Sequence, residues 1–198
     1  MSKLRYKVSD IDLLRIGAYA QMEGSFRTGI KNRFDYRFTF AINQIVDMEE
    51  LISRVVTNYR KDGPYIEFYS KDLYESLSRM GFHDFRQTDW NVPRCINWSQ
   101  TLKNEYIRAV IDSLGDIDIE QVGYPVPYIR ILSVNGNGLK TLRSIYGGHL
   151  YTYGNMNYLQ WKGSDVLRLL DMLQWRFYCH RNIRGADIVR GVRWDVMQ

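Results

Sequence analysis

The sequence has little cysteine and little histidine, and it has no long apolar run. Cys95 and Cys179 are its only cysteines and lie far apart, so they predict neither a zinc site nor a disulfide framework. We expect two reduced thiols in an intracellular protein, in the cytoplasm or an organelle. The three histidines do not cluster, which argues against a histidine-based metal centre. No apolar stretch approaches a membrane span of roughly 18 residues and no signal-peptide pattern is visible, so neither anchoring nor secretion is expected.

The charge balance is basic. The 198 residues carry a net charge of +5, and 15 tyrosines and 5 tryptophans lie among the arginines and lysines. Such a balance favours a polyanion such as nucleic acid or an anionic surface, although many basic proteins bind neither. Aromatic side chains between cations also suit contact with bases and sugars. Composition therefore favours nucleic acid as the partner.

Two stretches rich in small and apolar residues, 13–26 and 106–119, dominate the pattern. Each is predicted to form a helix that ends at a glycine, Gly24 or Gly115, and continues directly into a strand. Ser9 or Asp10 can cap the first helix. Because small side chains let two backbones approach closely, we predict that these two helices pack against each other at the centre of the protein.

The rest of the first half alternates strands and helices. Apolar and polar residues alternate over 25–31 and 34–44, which predicts two strands joined by a turn at 32–33. Asp47 is predicted to cap a helix that extends to about residue 58. A hairpin turning at Gly63-Pro64 and a short helix over 71–80 follow, and 81–100 is predicted to be a linker. One face of this antiparallel sheet would be core and the other polar.

The same order then repeats. A shift of 91 residues places Gly24 on Gly115 and Gln44 on Asn135, and it also matches Leu51 with Leu142, Gly63 with Gly154 and Lys71 with Lys162. Several matches at one offset predict a tandem duplication. The fold class is therefore α+β, a duplicated αββαββα arrangement with pseudo-twofold halves over residues 1–95 and 96–198.

This order, with residues 16–24 (IGAYAQMEG) and 107–115 (IRAVIDSLG) in matching places, resembles the LAGLIDADG homing endonuclease family in its single-chain form. The resemblance covers nearly the whole chain. It implies a monomer whose two saddle-shaped sheets straddle a long double-stranded DNA target, which it cleaves at a specific site in intron or intein homing. It also implies dependence on Mg²⁺, with Mn²⁺ or Ca²⁺ able to replace it for binding. Such hydrolysis uses metal-bound water and a cation at the leaving oxygen.

The resemblance assigns the catalytic acid of the first motif to Glu23. The second motif departs from the pattern, because Leu114 stands at that position and cannot ligate a metal through its side chain. Asp116 lies one residue past the glycine, so either it has taken over or the second site is impaired, while Asp112 occupies a helix-cap position. Since hard cations prefer carboxylate and carbonyl oxygens, the predicted metal ligands are the carboxylates of Glu23 and Asp116, with the helix-end backbone carbonyls of Ser113, Leu114 and Gly115.

Further site residues follow from the same resemblance. Gln44 and Asn135 match a polar position that holds water near the metals. Arg181 is the candidate for stabilising charge on the phosphorane in the second half, with Arg86 as a weaker candidate in the first. The repeat offset favours Lys71 and Lys162 as an alternative pair.

DNA is expected to lie on the polar strand face, since a β-ribbon in the major groove reads base edges while flanking cations hold phosphates. The predicted contacts on the strand faces are Arg27, Lys31, Asp35, Arg37, Thr39, Asp118, Glu120, Tyr128 and Arg130. Those predicted from the outer hairpins are Arg60, Lys61, Tyr151, Tyr153 and Lys162. Three alternatives remain open: a maturase that binds intron RNA, a cleavage-impaired DNA-binding relative, and a basic α/β binding protein of another kind.

Overall fold

The computed structural model describes residues 2–5, 7–22, 26–27, 36–83, 85–122 and 124–192, with backbone only at 26, 27 and 122. The helices are α1 (Asp10–Met22), α2 (Met48–Val55), α3 (Lys71–Met80), α4 (Gln100–Leu114), α5 (Gly136–Tyr146), α6 (Ser164–Met172) and α7 (His180–Gly191), with a short 3₁₀ helix over Arg94–Asn97. The strands are β1 (Phe26–Arg27), β2 (Arg37–Ala41), β3 (Arg60–Asp62), β4 (Tyr65–Tyr69), β5 (Gly115–Val122), β6 (Tyr124–Ser133), β7 (His149–Tyr153) and β8 (Met156–Lys162).

The strands form two antiparallel four-stranded sheets of the same topology. Their orders are β1-β2-β4-β3 and β5-β6-β8-β7, so each sheet comes from one half of the chain. The predicted α+β duplication is confirmed. The second half carries one helix beyond the predicted pattern, α7, which packs on β5. The boundary at residue 95 falls inside the 3₁₀ helix and remains a prediction.

Helices α1 and α4 pack against each other at the centre, as the sequence predicted. Every α1 residue from Leu14 to Met22 is buried, which is typical of a helix surrounded by protein. Ser9 is the cap, because its Oγ accepts the Asp12 N–H at 3.1 Å. Gly17 accommodates a neighbouring ring, since a Cβ there would lie 2.7 Å from the Phe82 ring. Each helix in the described part of the chain is too short or too polar to span a bilayer.

The apolar residues that alternate along the strands are buried, as predicted. Phe38 and Phe40 of β2 are buried against the helices, and Ile129 and Ile131 do the same in β6. The predicted turn at Gly63-Pro64 is also present: Gly63 has a positive φ of 57°, and Gly154 has one of 59° in the equivalent two-residue loop of the second half. The predicted turn at 32–33 lies outside the described residues. Each sheet therefore buries one face and leaves the other toward solvent.

Two further predictions are wrong: that Asp47 caps α2, and that Lys71 and Lys162 are equivalent. The carboxylate of Asp47 makes no capping hydrogen bond to α2, which ends at Val55; it binds the Arg15 guanidinium instead, at 2.8 and 3.1 Å. Lys71 and Lys162 are not equivalent either. Lys71 is the first residue of α3, whereas Lys162 ends β8 opposite Tyr128. A charge pattern alone does not reveal these tertiary partners.

The close contact of α7 with β5 depends on Gly185. A Cβ at this position would lie 2.0 Å from the backbone oxygen of Ile117, which has no rotatable end to move aside. We expect Gly185→Ala to lower the free energy of unfolding by about 3 kcal/mol, measured by urea denaturation. The matched control is Gly191→Ala in the same helix, where a Cβ meets nothing within 4 Å among the residues that the structure describes. Equal stability of the two variants would contradict this packing.

Candidate nucleic-acid interface and helix-end site

The C-terminal ends of α1 and α4 are the places where the sequence predicts chemistry. Helix α1 ends at Met22, and Glu23 follows immediately in the chain but lies outside the described residues. Helix α4 ends at Leu114, and Gly115 takes an extended conformation (φ −97°, ψ 168°) that starts β5 at once. The second helix therefore runs into its strand without an intervening loop, as predicted.

Leu114 is half-buried and packs on the hydrophobic core. The nearest carboxylate along β5 is Asp116, whose oxygens lie 3.8 Å from the Arg130 guanidinium and 3.9 Å from that of Arg181. Arg181 also donates a hydrogen bond to the carbonyl oxygen of Gly115. The structure thus brings Asp116, Arg181 and the helix end together, as one cluster of a carboxylate between two guanidiniums.

This donor set does not fit a divalent metal. The Gly115 carbonyl already accepts a hydrogen bond from a cation, and Asp116 is already paired with two. The Ser113 hydroxyl is buried and has no hydrogen-bond partner among the described residues, but a lone hydroxyl is a weak ligand. Within the described ranges no group of three or more His, Cys, Asp or Glu side chains is placed to hold a metal ion.

The two predicted water-holding residues have different surroundings. Asn135 is buried and caps α5: its Oδ1 accepts the Gly138 N–H at 2.9 Å and its Nδ2 donates to the Trp90 carbonyl at 2.6 Å. The structure gives it this structural role in place of the predicted one. Gln44 is exposed, and its carbonyl accepts the His180 N–H at 3.2 Å. It therefore lies beside the residue that precedes Arg181.

Asp112 holds the start of α7. Its two oxygens accept the backbone N–H groups of Tyr178 and Cys179, each at 3.0 Å, while Asn182 donates to the Ile111 carbonyl at 2.7 Å. Burial raises the pKa of the Asp112 carboxyl to about 6, although these donors lower it. Asp112 is thus a cap of a neighbouring helix, in line with its predicted position, and it fixes the segment that carries Arg181.

Sequence reasoning missed Asn182, although a signal was present. The shift of 91 residues places Gln21 on Asp112 and Asn91 on Asn182. The first half has the matching contact, in which Gln21 Nε2 donates to Asn91 Oδ1 at 2.9 Å. Two polar pairs at the repeat offset would have indicated a buried polar contact in each half.

On the first sheet, the exposed face carries part of the predicted DNA contacts. Arg37 and Thr39 lie on it, with Arg37 paired to Glu67 of the next strand. Arg60 also lies on this face, since it pairs with Glu67 in the β-ladder. Lys61 of the outer hairpin does not share this face, since it is opposite the buried Ile66 and binds Glu49 of α2 at 2.6 Å; its contact with DNA remains a prediction. The side chains of Arg27, Lys31 and Asp35 lie outside the described residues.

On the second sheet, all the predicted contacts share the exposed face. Tyr128 of β6 is opposite Asp118 of β5 on one side and opposite Lys162 of β8 on the other. Lys162 also binds Glu120 at 2.6 Å. The outer hairpin adds tyrosines: the rings of Tyr151 and Tyr158 stack at 5.1 Å. The remaining members of the predicted set on this face are Arg130 and Tyr153. The face therefore combines aromatic rings with paired charges.

Comparison with solved structures identifies this architecture. The homing endonuclease I-GzeII, described as LAGLIDADG and in complex with its DNA target, matches with a TM-score of 0.58 and 11% identity, over 93% of this chain and 89% of that one. I-SmaMI, bound to uncleaved DNA target in the presence of calcium, matches with a TM-score of 0.55 and 9% identity over 93% and 90%. The chain has the LAGLIDADG homing endonuclease fold.

A third structure with the LAGLIDADG fold, I-DmoI in complex with DNA and Mn, matches with a TM-score of 0.51 and 14% identity, over 83% of this chain and 97% of that one. No protein-family model and no curated sequence matches the chain. In the LAGLIDADG fold of this chain, α1 and α4 carry the two motifs. The second motif keeps the helix, the glycine and the strand, and it has Leu114 where the first motif has Glu23.

Arg86 is not the first-half counterpart of Arg181. It pairs with Asp89 at 3.1 Å on an exposed segment. The repeat offset places Trp90 on Arg181. Trp90 is buried, and its Nε1 donates to Ser133 Oγ at 3.1 Å. The two halves of the LAGLIDADG fold therefore differ at both positions, with Glu23 and Trp90 in one half and Leu114 and Arg181 in the other.

Proposed function

We propose that the protein is a site-specific endonuclease of double-stranded DNA, of the intron- or intein-homing type, that acts as a monomer. The observation that carries the proposal is the duplicated LAGLIDADG fold, in which two central helices pack together and each precedes a sheet with an exposed polar face. Those faces carry arginine, lysine and tyrosine side chains, which suit phosphate, base and sugar contacts. The net charge of +5 supports a polyanionic partner.

Glu23 is the proposed catalytic acid and metal ligand, because it follows the last described residue of α1 in the motif position. A divalent ion such as Mg²⁺, once bound there, supplies an activated water and neutralises the leaving oxygen. Mn²⁺ could replace it, and Ca²⁺ could support binding. The protein's own part is to hold the duplex across both sheets, so that one scissile phosphate lies at the end of α1.

A cleavage-impaired DNA-binding protein is the second candidate. It is favoured by Leu114 and by the pairing of Asp116 with two arginines, which leave the second helix end without a free carboxylate in the described part of the chain. A maturase that binds intron RNA belongs to the same candidate, because binding RNA requires the fold but not the catalytic acid.

The test uses a library of long randomised duplexes. The purified protein is incubated with the library and Mg²⁺, and the DNA is then denatured. New strand ends, from nicks as well as from double-strand breaks, are captured by ligation of a single-stranded adaptor, and their flanking sequences are determined. We expect ends at one recurring sequence in Mg²⁺ and none in EDTA. Binding to that sequence, measured with Ca²⁺, should weaken steeply as salt rises, because phosphate contacts release counterions. Absence of new ends in Mg²⁺ would refute the endonuclease proposal, and tight binding of structured RNA alone would favour the maturase.

A further inference from the structure

The cluster at the end of α4 contains a guanidinium that the fold holds in place. Arg181 reaches the Gly115 carbonyl, and its Nε lies 3.9 Å from Asp116. Its backbone is held in place, since Asp112 accepts two N–H groups just before α7 and Asn182 donates to the Ile111 carbonyl. The guanidinium is therefore positioned at the helix end by the fold, unlike a loose surface arginine.

This guanidinium binds one oxygen that a metal would need, the Gly115 carbonyl, and lies 3.9 Å from a second, in the Asp116 carboxylate. A divalent ion at this place would have to replace Arg181 on the Gly115 carbonyl and would lie close to a second cation, Arg130. Leu114 offers no oxygen from its side chain. Two monovalent cations beside one carboxylate repel a third cation, and Asp116 alone does not offset that repulsion.

The first half has different residues at the two equivalent positions. Glu23 supplies a carboxylate in sequence, and the offset equivalent of Arg181 is Trp90, which is buried and bonded to Ser133. In the sequence, Glu23 and Trp90 of the first half thus stand where the second half has Leu114 and Arg181.

We propose, resting on the endonuclease function above, that Arg181 takes the place of the second metal, so that the enzyme cuts one DNA strand and holds the other intact. At the first helix end, water adds across one P–O bond, which leaves a phosphate monoester and a free hydroxyl. At the second, more than half of the Arg181 side chain is exposed and can contact the opposite strand's phosphate. The product is a nicked duplex with a defined uncut strand.

The first test measures the product. The target duplex, with a different fluorophore on each strand, is incubated with the protein and Mg²⁺, and the same site is tested in a supercoiled plasmid. We expect one strand to be cut while the other stays intact, and the plasmid to become an open circle without becoming linear. Cleavage of both strands at comparable rates would overturn this inference. Failure to cut either strand would refute the endonuclease proposal, and the second test then decides the role of Arg181.

The second test needs no cleavage. In EDTA, Arg181→Gln should weaken binding to the duplex several-fold and reduce the slope of log K against log salt by about one, because one phosphate contact is lost. Arg181→Lys should keep the slope. The matched control is Arg190→Gln, since Arg190 is as exposed as Arg181 (55% against 56%) but lies at the other end of α7.

Metal counting completes the test. Electron paramagnetic resonance of Mn²⁺ titrated into the protein–DNA complex should show one tightly bound ion per complex. Two tightly bound ions in the unmodified protein, or an unchanged salt slope in Arg181→Gln, would show that Arg181 does not take a metal's place.

Discussion

Replacing Glu23 with glutamine is expected to reduce DNA cleavage by about 1000-fold or more while target binding changes little. The amide keeps the size of the side chain but removes the negative charge that a divalent ion requires. Loss of one preorganised electrostatic group commonly costs 10²–10³ in rate, and here the same group is proposed to bind the metal. The rate is measured on the labelled target duplex under single-turnover conditions with Mg²⁺, and binding is measured with Ca²⁺.

Glu75→Gln is the matched control for this substitution. Glu75 is an exposed acid on α3 whose partner is Lys71 at 3.3 Å, so its loss should leave both cleavage and binding unchanged. Undiminished cutting by Glu23→Gln would refute the assignment of Glu23. If Asp116→Asn abolished cleavage and Glu23→Gln did not, the working metal would belong to the second helix end instead.

The central helices and the strands could be predicted because their signals are local and repeated. Burial on all sides of α1 follows from its small and apolar composition, and the alternation of Phe38 and Phe40 follows from the two-residue period of a strand. The loops at Gly63 and Gly154 need positive φ, which glycine adopts freely. Each of these features depends on neighbours within a few residues.

Helix α7 and the face of Lys61 could not be predicted in this way. Gly185 lies in the middle of α7, and a glycine in a helix interior costs about 1 kcal/mol relative to alanine, so the sequence argues against a helix there. Its contact with the Ile117 carbonyl makes the glycine necessary. Strand β3 has only three residues, too few to show alternation, and its pairing with Ile66 alone decides that Lys61 points toward α2.

The site at the second helix end shows both limits and strengths of sequence reasoning. Leu114 in the motif position already indicated that the two ends differ. That Asp116 lies between Arg130 and Arg181 depends on strand register and on the placement of α7, neither of which the sequence reveals. The repeat offset did indicate that the two halves differ at this position, since it aligns Trp90 with Arg181.

A buried ion pair between α1 and the start of α2 should be essential for stability. The Arg15 side chain is 4% exposed, and its two terminal nitrogens bind the two oxygens of Asp47, which is 22% exposed. Its guanidinium also lies 3.6 Å from the centre of the Tyr178 ring, so the pair joins the first half to the second. Burial by itself lowers the pKa of Arg15, but hydrogen bonding to Asp47 raises it above its ordinary value, and the side chain stays charged.

We therefore expect Asp47→Ala to lower the free energy of unfolding by about 3 kcal/mol, because it leaves a buried guanidinium without its partner. Urea denaturation at neutral pH measures the change, with an unaltered dependence on denaturant concentration. The control is Glu50→Ala, which removes an exposed partner of Arg54 and should cost about 0.5 kcal/mol or less.

The double variant Arg15→Met with Asp47→Ala separates the two possible causes of that loss. If the penalty comes from the unpaired charge, removing the guanidinium as well should restore most of the stability, since an apolar side chain of similar length fills the same space. If the double variant is less stable than Asp47→Ala, the packing of Arg15 against Tyr178 is the dominant contribution. A loss below about 1 kcal/mol in Asp47→Ala itself would show that solvent or Asp112, whose pKa Arg15 lowers, compensates the guanidinium.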